Sequence, residues 1–353
     1  MTTSTDLSTV YLGFRLPHPF IVGASPLVDH LDNVRRLEDA GSAAIVMRSL
    51  FEEQITAAQT GRIHHLDPFD QQFATVLTYF PEPERYAFGP DEYLEQLRRI
   101  KSAVHVPVIA SLNGSSAETW LTFAQQMAQA GADALELNVY EVVTDPKQAS
   151  AQVERNVVKV AHELKRVVKI PIAVKVSPYF TAFAHLAQEL DQVGADGLIM
   201  FNRFYQPDFD IQSLTVAPHI VLSGSSELLL RLRWLAILHG HVRASLGVCG
   251  GVSHPNDGIK AILAGAHAVQ MVSAILRHGP AYLGVMREGL SKWMEAHTFT
   301  RLDDVRGRLS LANSPDPSAF ERANYMRTLS SWNAAAPTES AADVPSRSSG
   351  FVK

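Results

Sequence analysis

One lysine stands inside an apolar run: Lys175, in Pro171–Val176 (PIAVKV). Burying an ammonium without a partner is expensive, so such a lysine is expected to point into a polar opening. As a neutral amine it would attack a carbonyl and form a Schiff base, which needs a lowered pKa. As a retained cation it would stabilise negative charge developing on a ring. A structural ion pair is the plainer reading. Other polar residues close comparable runs: Ser25 after Phe20–Ala24, Arg48 after Ala43–Met47, Asn113 after Val106–Leu112, Asn138 after Ala132–Leu137, and Asn202 after Gly197–Phe201. Amides and cations dominate this set, and carboxylates are few. It suits a neutral heterocycle with many donors and acceptors, and fits paired-carboxylate hydrolysis poorly.

A second group is rich in glycine. In ASLGVCGGVSHPNDGIKAILAGAHAVQMVSAIL, residues 244–276, two apolar runs end in Gly250-Gly251 and Val272-Ser273. Glycine lets a phosphate approach the backbone, and Ser273 adds a hydroxyl donor. Two ordinary turns would look the same. No nucleophile elbow, P-loop or dinucleotide fingerprint accompanies them. The adjacent His64 and His65 point apart on any regular element and have no carboxylate–histidine cluster at ligand spacing, so no metal is expected.

Positioning these groups requires strands that end at one rim. Apolar runs alternate with amphipathic stretches at 31–40, 116–130, 152–168, 182–193, 228–238 and 254–263, most of them stopped by glycine. The fragments GADAL, GADGL and GAHAV recur where a helix gives way to a strand. Eight strand candidates in this rhythm predict a parallel (β/α)8 TIM barrel with its site at the C-terminal strand ends. The short run Ile220–Leu222, leading to Ser223-Gly224, reads as an elaboration between strands six and seven. An insertion spans about 51–105, carries Tyr79, Phe80, Tyr86 and Phe88, and closes with a helix from Asp91 to Ala103. These aromatics suit either a cover over a planar ligand or simple packing.

The 353 residues are 46% hydrophobic, enough for one large barrel domain, taken as 1–332. A formal charge of −5 without a basic block argues against nucleic-acid binding. The single cysteine, Cys249, rules out an internal disulfide or a four-cysteine cluster. A polar N-terminus and the lack of a transmembrane-length run lead to the expectation of a cytoplasmic protein that meets no membrane. Residues 333–353, rich in Ala, Ser and Pro, read as a disordered tail.

In order, the fragments ASP, ASLNG, ELN, PIAVKVSPYF, FNRFYQPD, LSG, CGGV and AGAHAVQMVSA resemble the dihydroorotate dehydrogenase family across about Tyr11–Arg277. The resemblance implies an FMN-dependent barrel oxidoreductase that takes hydride from dihydroorotate or a related dihydro-substrate. With dihydroorotate, the step would belong to pyrimidine biosynthesis. It also implies a homodimer. It places Ala24, Ser25, Arg48, Asn113, Asn138, Lys175 and Asn202 around the flavin, and Ser223, Gly224, Gly250, Gly251, Val272 and Ser273 on the phosphate side. Two departures stand out. Arg48 replaces a lysine common in the family, keeping the charge on a larger group. The loop after Asn138 lacks the family's cysteine or serine base, and by counting Glu141 takes its place. In an apolar, closed site that carboxylate would have a raised pKa and accept the proton. Arg203, where the family usually has serine, points to an anionic substrate. A barrel that has diverged and lost catalysis, and a Schiff-base aldolase using Lys175, are the competing readings.

Overall fold

The computed structural model describes residues 5–52, 54–55, 89–114, 117–203, 206–217, 221–320 and 322–331. His64-His65, the aromatic stretch from Tyr79 to Phe88 and the tail 333–353 lie outside them. The chain divides into two compact units, Met1–Ser314 and Pro315–Lys353. In the second, a 3-10 turn at Pro317–Phe320 precedes a helix at Ala323–Ser331, and Arg327 pairs with Asp316 at 3.1 Å.

The first unit holds a closed barrel of eight parallel strands. These are β1 (Phe20–Val22), β2 (Ile45–Phe51), β3 (Val108–Asn113), β4 (Ala134–Asn138), β5 (Ile172–Val176), β6 (Gly197–Met200), β7 (Ser245–Cys249) and β8 (Ala268–Met271). Closure comes from β8 on β1, with Gln270 opposite Ile21. The helices between them are α1 (Leu31–Asp39), α2 (Pro90–Ala103), α3 (Ala117–Gln129), α4 (Ser150–Val167), α5 (Phe183–Gln192), α6 (Leu228–Leu238) and α7 (Pro255–Ala264). Both sets agree with the sequence expectation. Two further helices follow β8: the short α8 (Ser273–His278) and α9 (Tyr282–Ala296). Of the run Ile220–Leu222, the described Val221 and Leu222 lie in no strand; a separate hairpin, Asp208–Asp210 with Thr215–Ala217, precedes them.

Strand alternation sends every second side chain into the lumen. The inner layer comprises Ile21, Val46, Ile109, Ala134, Ala173, Ile199 and Ala268. An N-terminal hairpin, Thr9–Tyr11 with Phe14–Leu16, packs Tyr11, Leu12 and Leu16 against this layer and forms the barrel floor. Leu12 N–H donates to Ser245 Oγ at the start of β7.

The recurring glycine fragments have a shared mechanism. Gly41, Gly131, Gly194 and Gly265 all adopt positive φ and end α1, α3, α5 and α7, as left-handed helix stops do. One or two residues later, a side chain accepts the backbone N–H of the preceding strand. Ser42 Oγ takes Val22 N–H at 3.3 Å, Asp133 takes Val108 at 2.7 Å, Asp196 takes Ile172 at 2.7 Å, and His267 Nδ1 takes Leu246 at 3.0 Å. Lys101 and Lys165 brace the two aspartates at 2.6 Å each.

Candidate active site

Two residues beyond the inner-layer alanines 134, 173 and 268, the same strand faces carry Glu136, Lys175 and Gln270. All three are buried, Glu136 at 0% exposure and Lys175 at 5%. Lys175 Nζ donates to Glu136 Oε1 at 3.1 Å and to Gln270 Oε1 at 3.2 Å. Gln270 Nε2 donates to Glu136 Oε2 at 2.5 Å, which closes the triangle. The orientation of Gln270 follows from its neighbours: an ammonium has only donors, an ionised carboxylate only acceptors. Burial by itself would lower the Lys175 pKa, but the Cys249 sulfur and the Glu136 carboxylate more than reverse this, and the ammonium is held above its ordinary value. A Schiff-base mechanism needs the opposite shift, so the aldolase reading loses its nucleophile.

Sequence reading found Lys175 and missed both partners. The signal was alternation: Glu136 shares a face with Ala134 and Asn138, and Gln270 shares one with Ala268. A carboxylate flanked by two leucines reads as an apolar run until the period is applied.

Above this layer, the rim amides are tied together. Asn113 Nδ2 donates to Asn138 O at 2.9 Å, and Asn138 Nδ2 to Ser49 Oγ at 3.1 Å. Ser49 and Ser111 share a hydrogen bond at 2.7 Å, and Asn202 Nδ2 donates to Val139 O at 2.8 Å. Asn138 Oδ1 and Ser25 Oγ are buried without a hydrogen-bond partner among the described residues, an arrangement that costs free energy unless something else fills it. Ala24 is half-buried against the lumen cluster.

The glycine-rich group also comes together. Ser223 N–H and its hydroxyl both donate to Ser273 Oγ, at 3.1 and 3.0 Å, and Gly251 N–H donates to Ser223 Oγ at 3.1 Å. The Ser223 loop is held from behind by arginines, since Arg277 donates to the carbonyls of Leu222 and Ser223 at 2.8 Å each. Buried Arg231 reaches the carbonyls of Cys249 and Glu227. Gly250 and Val272 flank the same strand ends and are half-buried.

Gly251 has no room for a side chain: φ is +81°, and a Cβ would stand 2.5 Å from Leu228 N. Gly251→Ala is expected to cost at least about 2 kcal/mol, from left-handed strain and a clash with rigid backbone. Gly224 meets nothing within 4 Å, so Gly224→Ala should be near neutral. Thermal unfolding of the two variants side by side checks this, and equal stabilities would refute it.

Three expected site residues are placed differently from the rest. Arg48, expected just past its strand, lies within β2, where Nη1 donates to the buried carboxylate Asp29 Oδ2 of the turn after β1 at 3.2 Å, a pairing that no local spacing reveals. Arg203 is exposed and bound to Glu227 and to Val221 O, so its charge is already matched. Glu141 stands exposed on the loop after β4, beside exposed Val142 and Val143. Among the described residues, no helix or strand packs over this loop. Among the described residues, no group of three or more metal-binding side chains occurs, and no helix is long and apolar enough to cross a membrane.

Fold and site together define an α/β-barrel enzyme whose reactive groups ring the C-terminal mouth. The family model described as dihydroorotate dehydrogenase matches residues 87–294. The chain belongs to the dihydroorotate dehydrogenase family and, with it, is a dehydrogenase of CH–CH bonds. It is 25% identical to the catalytic subunit of dihydroorotate dehydrogenase B (NAD(+)) from Thermoplasma volcanium, over 86% of this chain and 98% of that one. It is also 25% identical to the NAD-dependent dihydropyrimidine dehydrogenase subunit PreA of Escherichia coli K12, over 88% and 77%. A putative dihydroorotate dehydrogenase A (fumarate) from Aeropyrum pernix is 28% identical over 62% and 72%.

Proposed function

We propose that this enzyme is FMN-dependent and oxidises a cyclic dihydropyrimidine, dihydroorotate or a close relative. The observation that carries the reading is the buried Lys175 ammonium, kept charged at the barrel mouth beside unpartnered polar atoms. The residues fit a flavin. Ser25 Oγ and Asn138 Oδ1 need partners, and both lie at the strand ends where Lys175 also lies. Ser273 accepts two hydrogen bonds and keeps its own O–H to give to a phosphate. When bound, FMN supplies a ring that accepts hydride.

In this proposal Ala24, Ser25, Asn113, Asn138 and Asn202 hold and orient the ring, with Arg48 beside them. Ser223, Gly224, Gly250, Gly251, Val272 and Ser273 form the phosphate side. Lys175 keeps a positive charge where negative charge develops. Glu141, three residues beyond Asn138, accepts the substrate proton. Arg203 and Asn202 meet the substrate, which for Arg203 requires the pair with Glu227 to open. A homodimer is part of the same reading.

The test is reconstitution with FMN, removal of free flavin, and anaerobic addition of dihydroorotate or of a dihydropyrimidine lacking the carboxylate. Bleaching of the flavin band by either supports the reading and names the substrate. Bound flavin that neither bleaches favours the diverged, non-catalytic barrel. No bound flavin at all sinks the proposal.

A further inference from the structure

We propose that Glu136 and Gln270 are positioning residues for Lys175, holding two of its ammonium hydrogens from opposite sides of the lumen and offsetting its charge, so that the ammonium is fixed in place beside the flavin. This rests on the flavin reading above. Three features carry it. The triangle is closed: both carboxylate oxygens, both ends of the Gln270 amide and two of the three ammonium hydrogens are used. The Cys249 sulfur is the further side-chain neighbour of the ammonium, and no third oxygen or nitrogen acceptor meets it among the described residues. The three side chains come from β4, β5 and β8, so the ammonium is fixed from opposite sides of the lumen rather than by one neighbour.

A role in stability alone does not account for the arrangement. Well-packed apolar side chains of similar volume usually serve a buried position as well as an ion pair does, or better. The apolar layer immediately below, Ala134, Ala173 and Ala268, shows that this lumen can be filled that way. What the pair adds is a cation with a fixed position and a reduced net charge. The charge that a developing anion meets is then that of Lys175 less what Glu136 takes away. Glu136 therefore sets how readily the bound flavin is reduced, without touching it.

The experiment compares flavin reduction equilibria of FMN-loaded protein against reference dyes at pH 6, with amine labelling of Lys175 in the apoprotein. Glu136→Gln is expected to favour the reduced form at least about tenfold, equivalent to about 30 mV for a two-electron couple. Gln270→Met leaves the charge balance intact and removes one anchor. It should move the equilibrium less than about threefold, while Lys175 labels at least about threefold faster. A Glu136→Gln equilibrium within twofold of the parent, with FMN bound, overturns the inference. So do equal shifts in both variants, which a general loosening would produce. If Glu136→Gln does not fold, Gln270→Glu tests the opposite sign: it must favour the oxidised form, and any other result overturns the proposal. If no protein takes up FMN, the flavin reading fails separately. Lys175 labelling in Gln270→Met apoprotein then decides positioning by itself, unchanged labelling counting against it.

Discussion

Lys175→Met is expected to destabilise the protein by about 3–5 kcal/mol, the usual consequence of stranding one member of a buried ion pair. Methionine nearly matches the lysine stem in length and shape, so lost packing is a small part of the effect. The main cost is at Glu136, which is fully buried and would keep only Gln270 as a hydrogen-bond partner. Its carboxylate must then stay charged without compensation or take up a proton. The double variant Glu136→Gln with Lys175→Met removes both charges and leaves two amides side by side. It should recover at least about 2 kcal/mol relative to the single change. Urea unfolding at constant slope reads both numbers. A double variant no more stable than Lys175→Met would mean that the charges are not coupled. Turnover by folded Lys175→Met should fall on the order of hundredfold, as when an electrostatic stabiliser is removed elsewhere.

Most of the frame was legible because it rests on local rules. Period-two and period-3.6 patterning, with glycine stops, located seven of the eight strands and the helices between strands to within about two residues; the second strand runs on to Phe51, four residues past its expected end, and the helix Tyr282–Ala296 went unread. Short pieces escaped. The hairpin strands at 9–11 and 14–16 are three residues each, too brief for a periodic signal, although they form the barrel floor. The hairpin at 208–217 turns through Leu214 at φ +53° rather than through a glycine, so nothing marked it.

The site was readable where one residue breaks a pattern, as Lys175 breaks PIAVKV, or where glycine and serine end a run. Relations across the barrel were not readable. Glu136 to Gln270, Arg48 to Asp29 and Arg203 to Glu227 join residues from different βα units, and only the assembled barrel brings them together. Glu141 shows the converse. Counting placed it near the mouth, but counting carries no information about what covers a loop.

The recurring GAD and GAH fragments joined these two kinds of information. Read alone they are turns; in the barrel they are staples between neighbouring strands. This equivalence makes one member vulnerable. Asp133 and Asp196 accept N–H groups as carboxylates, whereas His267 does so through a neutral ring nitrogen.

That difference predicts marked acid sensitivity. Burial, then the nearby Arg306 and His239, push the His267 pKa down to about 3. Burial, then Arg287, push that of His18 down to about 4. In both rings Nδ1 accepts a backbone N–H, from Leu246 at 3.0 Å and from Phe20 at 3.3 Å. Protonation would set a donor against a donor. The unfolded chain binds these protons near pH 6.5. Between that value and the folded pKa, the unfolded state therefore holds more protons, and stability falls as pH falls. Above pH 6.5 the full contribution is present; it is lost progressively below, and flattens only near pH 4 for His18 and pH 3 for His267. Two such rings lose about 3 kcal/mol between pH 6.5 and 5, a large share of the stability of a marginal domain. Few carboxylates titrate in that window, so the loss should be traceable to histidine. His267→Asp, which copies the staple used after α3 and α5, should remove about half of the slope while leaving stability at pH 7.5 within about 1 kcal/mol. Chemical unfolding at half-unit steps of pH measures it. Identical slopes in the parent and in His267→Asp would show that this ring does not titrate on unfolding.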